Sequence, residues 1–308
     1  MDPTATHNLT PVDVARLLAL ATLWGGSYLF IRVAVPGFGP ASLVLVRVVL
    51  GALLLIAYAR ATRKPVSLRP YAGRLVVLGF LNAAFPYLLI SAAELHLTAS
   101  FAALLSATVP LFAAAYSATW LGERLTVARM TGLLTGMIGV GMMVGWSAVP
   151  ITGPMILAVV ATLAASASYA GAAVFTQLRL RGVPTHILAL GQQLGALVWV
   201  AVPGIVAAPR VVPPAAAILS VLALGALSTA LAYLLFFTLL ERIGPTRTST
   251  LTYLVPIVGL LWGVVLLHEP VNTGMMLGLG VVLSSVVLVN GVRLGAFHPL
   301  RVPWRNSS

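Results

Sequence analysis

The chain has 308 residues, of which 60% are hydrophobic and 8% charged, and its mean hydropathy is +1.03. An ordinary soluble domain carries about 25% charged residues. With 18 Lys and Arg and 6 Asp and Glu, it cannot cover a soluble surface, which excludes soluble globular, disordered and nucleic-acid-binding chains and leaves an all-α integral membrane protein.

Apolar runs, broken at Pro, Gly and charge clusters, predict ten spans near 14–35, 41–59, 74–94, 98–120, 128–147, 152–178, 186–207, 215–240, 247–267 and 273–292. The runs are continuously apolar and do not alternate, which argues against a β-barrel. The first run follows Arg16 like the core of a signal peptide. It continues past Tyr28 to Val35, however, so it is read as a retained helix. Every connection is short. With the N-terminus inside, fifteen of the 18 Lys and Arg fall on cytoplasmic segments. Arg32 and Arg210 fall outside, and Arg47 lies within a span. This asymmetry predicts both termini in the cytoplasm and accounts for the net charge of +12. The absence of cysteine removes disulfides and thiolate chemistry.

The two halves echo each other. Pro110, Glu123 and Gly132 recur as Pro256, Glu269 and Gly278, and Gly79, Leu81 and Tyr87 recur as Gly225, Leu227 and Tyr233. Leu50-Gly51-Ala52-Leu53 recurs as Leu194-Gly195-Ala196-Leu197, and Ser27-Tyr28 as Ser168-Tyr169. Five spans per half is an odd number, so the second copy enters the membrane inverted. The expected units are two five-helix repeats, residues 1–147 and 148–308. Inverted repeats place a substrate site near the midplane between them.

The chain resembles the EamA type of the drug/metabolite transporter superfamily over about residues 14–292. The resemblance rests on Trp24-Gly25-Gly26-Ser27, on Pro40 followed by Arg47, and on Pro110 leading to Leu121-Gly122-Glu123-Arg124-Leu125. The echo from Pro256 to His268-Glu269-Pro270 completes it. Among relatives it most resembles bacterial exporters of aromatic and other amino acids. The resemblance implies a cavity walled by spans one, three, four, six, eight and nine. Gly191 stands in the second half where the first has Arg47, so the halves are not interchangeable in every feature.

Candidate lining residues recur at matching positions: Trp24, Ser27 and Tyr28 in span one, and Ser168 and Tyr169 in span six. Asn82 in span three has its counterpart in Ser228 of span eight, and Ser106 in span four is set beside Ser249 and Thr252 in span nine. Each hydroxyl alone reads as interhelical glue; the recurrence is what points to a lining. An uncharged cavity of aromatics and hydroxyls suits a neutral or zwitterionic solute and has no basic cluster for a phosphate. Pro110 and Pro256 remove a backbone hydrogen bond each and are candidate hinges.

Arg47 is read as a structural charge reaching a helix-end carbonyl or Glu94, with a substrate carboxylate as the alternative partner. Glu123 and Glu269 are read as helix-end caps, bonding loop amides or Arg124. Gln177, Gln192 and Gln193 read as interhelical bonds, and the Gly132/Gly136, Gly141/Gly145, Gly191/Gly195, Gly259/Gly263 and Gly274/Gly278 pairs as tight helix contacts. Since no acid is placed mid-span, transport down the solute's own gradient is expected. No metal or cofactor is expected, because His7, His96, His186, His268 and His298 are scattered and no phosphate loop is present. The expected function is an alternating-access exporter of small metabolites, amino acids foremost, in a bacterial inner membrane. The expected partners are the solute and lipid, with no obligatory protein partner. The rivals are a proton-coupled drug or metabolite permease and a lipid-modifying membrane enzyme.

Overall fold

The structure, a computed structural model, describes residues 10–122, 126–147 and 150–290, and among these every regular element is helical. Glu123, Arg124, Arg293, Arg301 and Arg305, all used in the sequence argument, lie outside the described residues.

Helix α1 (Pro11–Ala61) runs for 51 residues. At 1.5 Å per residue it would reach about 75 Å, more than twice an apolar bilayer core of about 30 Å. It is not one rod. Gly39, at φ 69° and ψ 160°, breaks it between Pro36 and Pro40, a backbone conformation that only glycine adopts without strain. The arms on either side pack into the same core, Tyr28, Ile31 and Val35 from the first and Leu43, Val44 and Val48 from the second.

Next come α2 (Ala72–Gly79), a π segment at Phe80–Ala84 and α3 (Phe85–Ala93). The predicted fourth span is divided into α4 (Ala99–Ser106) and α5 (Val109–Trp120). Helices α6 (Val127–Gly145), α7 (Gly153–Arg179) and α8 (Thr185–Val206) follow. Then α9 (Ala215–Gly225), a second π segment at Ala226–Leu231 and α10 (Ala232–Thr248) form one long run broken at Gly244, which has φ 79°. Helices α11 (Leu251–Leu267) and α12 (Thr273–Asn290) end the described chain. Among the described residues seven helical runs are long and apolar enough to cross a membrane, and Leu251–Leu267 and Thr273–Val289 are shorter apolar helices.

Burial follows the logic of lipid. Leu134, Met137 and Ile138 on α6, Leu157 on α7, Val202 on α8 and Leu261 on α11 face outward, while Arg47, Glu94, Gln192 and Gln193 are buried. A soluble fold would invert this distribution. The helices approach closely through small residues, since apolar side chains gain little from one another in lipid. A Cβ on Gly51 would lie 2.7 Å from Thr229 Cγ2, and one on Gly225 would lie 2.7 Å from Leu50 Cβ. The matching pair elsewhere is Gly195 against the Leu75 backbone and Gly79 against Gly195 and Ala196. The recurring Leu-Gly-Ala-Leu motif therefore marks two equivalent helix crossings. Gly132, Gly136 and Gly139 likewise seat α6 on α12. The Gly141/Gly145 pair is a correction: nothing lies within 4 Å of either Cβ position, so it makes no tight contact.

Gly195→Leu is expected to destabilise the protein by more than the about 1–3 kcal/mol typical of overpacking, because the new atoms meet backbone. Gly141→Ala should be close to neutral. Thermal unfolding in detergent reads both.

Candidate functional site

The two π segments shape the centre of the bundle. At the first, Pro86 has no N–H and its ring crowds the carbonyl of Asn82. The helix widens, and the Phe85 N–H bonds the Phe80 carbonyl five residues back. The second has no proline; there Thr229 Oγ1 donates to the Leu224 carbonyl, also five residues back, at 2.9 Å. A π turn leaves backbone carbonyls looking for other donors. The Leu81 carbonyl is met by Ser168 Oγ at 2.6 Å. In the second half a π-segment hydroxyl, Ser228 Oγ, donates to the Leu23 carbonyl at 2.8 Å. The predicted pairing of Asn82 with Ser228 thus marks two places where the helix ladder opens.

Between these segments lies a polar core. Asn82 Nδ2 donates to Gln192 Oε1 at 2.7 Å and reaches the Tyr233 hydroxyl at 3.4 Å. The Tyr87 and Tyr233 hydroxyls are 3.4 Å apart. These tyrosines occupy equivalent places in the two halves, and equivalent residues touch only where the halves meet. Arg47 is 4% exposed. Its Nε donates to Thr229 Oγ1 at 3.0 Å, and its guanidinium carbon stands 3.7 Å from the centre of the Tyr87 ring. A charge at mid-span costs about 2.5–3.5 kcal/mol, and a desolvated cation–π contact returns up to about 2. The hydrogen bond to Thr229 adds to that. Arg47 therefore joins the second arm of α1 to α3 and to the second π segment. It makes no hydrogen bond to Glu94 or to a helix-end carbonyl, which corrects the expected partners. It also puts a fixed positive charge in a core that was expected to be neutral.

The other expected lining residues divide. Tyr28 is buried with its hydroxyl facing Ser106, and Tyr169 lies within the same electrostatic reach of Tyr87, Arg47 and Tyr28. Trp24 packs edge-on against Tyr233 at 6.1 Å and at a tilt against Phe236 at 5.3 Å. The Ser27 and Ser106 hydroxyls donate to carbonyls of their own helices, Trp24 and Ala103, both at 2.6 Å. Thr252 is half-buried, while Ser249 is exposed and so falls outside the buried tyrosine core. The prolines are not equivalent locally. Pro110 opens α5 just after a break at Ala107–Thr108, whereas Pro256 lies inside α11, six residues past the break at Ser249–Thr250. Tyr87, Tyr233, Gln192 and Thr229 complete the core. The first two were visible in the sequence only as repeat markers, and Gln192 only as an interhelical bond.

A cleft of about 540 Å³ lies between the first π segment, α3, α5 and α7, walled by Phe80, Phe85, Tyr116, Trp120, Phe175 and Ser168. Arg179 lies at its rim. Ser168 is thus shared between the cleft and the π-segment carbonyl. At the opposite end of the bundle, His268 adopts φ 53° and turns the chain after α11. Its counterpart in the first half, Gly122, has φ 69°. The turn delivers the Glu269 carboxylate to the N-terminus of α4, where it accepts from the Ala99 and Ser100 amides, each at 2.8 Å. The expected capping role of Glu269 is what the geometry shows, and an anion is well placed at that positive helix end.

Two acids at helix ends are buried. Asp13 is buried and binds Thr10, Arg16 and Arg242, joining the start of α1 to the end of α10. Glu94 is 0% exposed. Among the described residues no group of three or more His, Asp or Glu is placed to hold a metal ion.

The profile of the EamA-like transporter family matches residues 14–145 and again residues 156–291. The uncharacterized transporter YvbV of Bacillus subtilis is 26% identical over 287 residues, 92% of this chain and 93% of that protein. A Streptantibioticus cattleyicolor protein described as a "probable terminal-alkyne amino-acid exporter" is 27% identical, covering 94% of this chain and 97% of its own. The uncharacterized inner membrane transporter YedA of Escherichia coli is 26% identical over 89% of each chain. A crystal structure at 20% identity superposes with a TM-score of 0.66, covering 92% of this chain and 99% of that one, and so shares the fold.

A double-mutant cycle checks the Arg47 anchor. Arg47→Lys and Thr229→Val should each lower the unfolding midpoint, and the pair should show a coupling of about 1.5–3 kcal/mol, the range for a hydrogen bond to a charged group.

Proposed function

The chain belongs to the EamA-like transporter family, and from that premise we propose that it exports small zwitterionic metabolites by alternating access. Amino acids, aromatic ones included, are the foremost substrates. It is a multi-pass membrane transporter, and the proposed address is a bacterial inner membrane, where a relative is placed. The proposed topology is ten spans with both termini cytoplasmic. Gly39 divides α1 into two spans, and the two shorter apolar helices complete the set.

We read residues 1–147 and 148–308 as inverted copies. The contact between Tyr87 and Tyr233 is the observation that carries this reading, because it sets the axis between the halves in a polar core. The recurring π segments and the left-handed turns at Gly122 and His268 support it. Exchanging the shapes of two inverted copies moves the opening from one face to the other. In this topology the cleft beside Arg179 opens to the cytoplasm, and the bonds of Glu269 to α4 close the outer end.

The chemistry of the core supports the substrate class. Arg47 offers the one charge there, suited to a carboxylate. The hydroxyl oxygens of Tyr28, Tyr169 and Ser106 and the amide oxygen of Asn82 can accept from an ammonium, and Trp24, Tyr87 and Tyr233 offer aromatic faces. Ser27, Ser168, Ser228 and Thr252 shape the walls, with Pro110 and Pro256 as flexing points. The name of the exporter from Streptantibioticus cattleyicolor supports an amino-acid substrate. The solute's own gradient is the proposed drive. The proposed partners are the solute and lipid alone.

In proteoliposomes loaded with unlabelled phenylalanine, labelled phenylalanine should accumulate transiently by counterflow with no ion gradient imposed. Strict dependence on a proton gradient would favour a proton-coupled permease, and no counterflow with any amino acid would refute the reading. Asn82→Ala, which removes the bonds to Gln192 and Tyr233, should slow counterflow by about tenfold, the rate equivalent of one lost hydrogen bond of about 1.4 kcal/mol.

A further inference from the structure

Glu94, at the end of α3, is the one buried acid that the transport scheme leaves without a task. It has 0% exposure, and neither carboxylate oxygen has a hydrogen-bond partner. Asp13, the other buried acid among the described residues, is engaged by Thr10, Arg16 and Arg242. The nearby cations make no hydrogen bond to the Glu94 carboxylate: Arg32 directs Nη1 to the main-chain carbonyl of Glu94 and Arg47 directs Nε to Thr229, so both act on it only at a distance. The neighbouring hydroxyls of Ser91 and Ser100 are also buried without partners.

The groups that act on Glu94 come from each packed element. Helix α1 brings Arg32, Arg47 and Tyr28. The connection after α11 brings Glu269, whose negative charge opposes a second one beside it. Glu269 is held as an anion by the Ala99 and Ser100 amides. Helix α4 adds no titratable side chain. A buried carboxylate with no side-chain or backbone donor and a like charge nearby is costlier ionised than neutral.

We propose that Glu94 is the proton-binding site of the outer gate. The carboxylate takes up one proton from the outer side when α4 and α11 close over it and returns that proton to the same side when they part. The proposal rests on the topology proposed above, which puts Glu94 and Glu269 at the outer end. It adds a ligand to that scheme without coupling it to a proton gradient, because the proton does not cross. In open water an ordinary glutamate ionises above about pH 4.3, so opening releases the proton and closing recaptures it. Linkage then fixes the sign: a more acidic exterior favours the closed outer end, and the closed-to-open ratio changes at most about tenfold per pH unit.

The chain has no cysteine, so a single reporter is clean. Ser100→Cys is nearly isosteric and sits under the gate. Val211→Cys, on an exposed loop, corrects for the pH dependence of the thiol itself. Labelling by a membrane-impermeant maleimide from the outer side, normalised in this way, should rise severalfold as the outer pH is raised from about 5.5 to about 7.5, within the limit of tenfold per unit. In the Glu94→Gln background it should stay low and flat, and Glu94→Asp should restore the slope. A flat profile with Glu94 intact overturns the proposal, whether or not the Gln variant folds. So does a slope that survives in Glu94→Gln. A slope that follows the pH of the other side overturns the outer placement. None of these readouts needs a substrate, so failed counterflow alongside the expected labelling would count against the transport reading alone.

Discussion

Polar groups that leave water for the interior of a lipid-embedded bundle must satisfy one another, and the centre of this protein is organised by that demand. Arg47 cannot stand at mid-span without a hydroxyl and an aromatic face. Thr229 and Tyr87 supply them, and Thr229 is placed to do so because the helix widens into a π turn at that point. The widening exposes carbonyls that Ser168 and other hydroxyls must meet. One buried charge thus fixes the local geometry of three helical runs, and the contact between Tyr87 and Tyr233 sits beside it.

The same constraint separates scaffold from moving parts. Where glycines allow backbones to touch, as at Gly51 with Gly225 and Gly79 with Gly195, the fit is set by hard contact and leaves little freedom. Where the helices carry aromatics and interrupted turns, as along the cleft between α3, α5 and α7, the packing leaves about 540 Å³ empty. Glu269 joins the remaining end by accepting from two amides at the start of α4.

Much of this was legible in the sequence. The apolar runs gave the helices to within a few residues, since lipid demands continuous hydrophobicity over a fixed length. The repeat in Leu-Gly-Ala-Leu found the two crossings, because only glycine permits that approach. The division of the predicted fourth span after Ser106 and the π segments were not legible: Pro86 hints at the first, but nothing in the composition of Ala226–Leu231 announces the second. The full burial of Glu94 was not legible either, because its place at the end of α3 says nothing of what packs around it. The exposure of Ser249 was not legible, since the break before α11 falls at that residue.

The central claim is that the two ends of the molecule open in alternation about the tyrosine contact. Paired spin labels on the cysteine-free chain test it most directly, one pair at Trp120 and Leu178 beside the cleft and one at Leu95 and Asn272 at the opposite end, all on exposed residues. Adding an amino acid substrate in liposomes should move the two distance distributions in opposite senses, one pair closing as the other separates. Distances that shift together, or that do not respond at either end, would contradict the account.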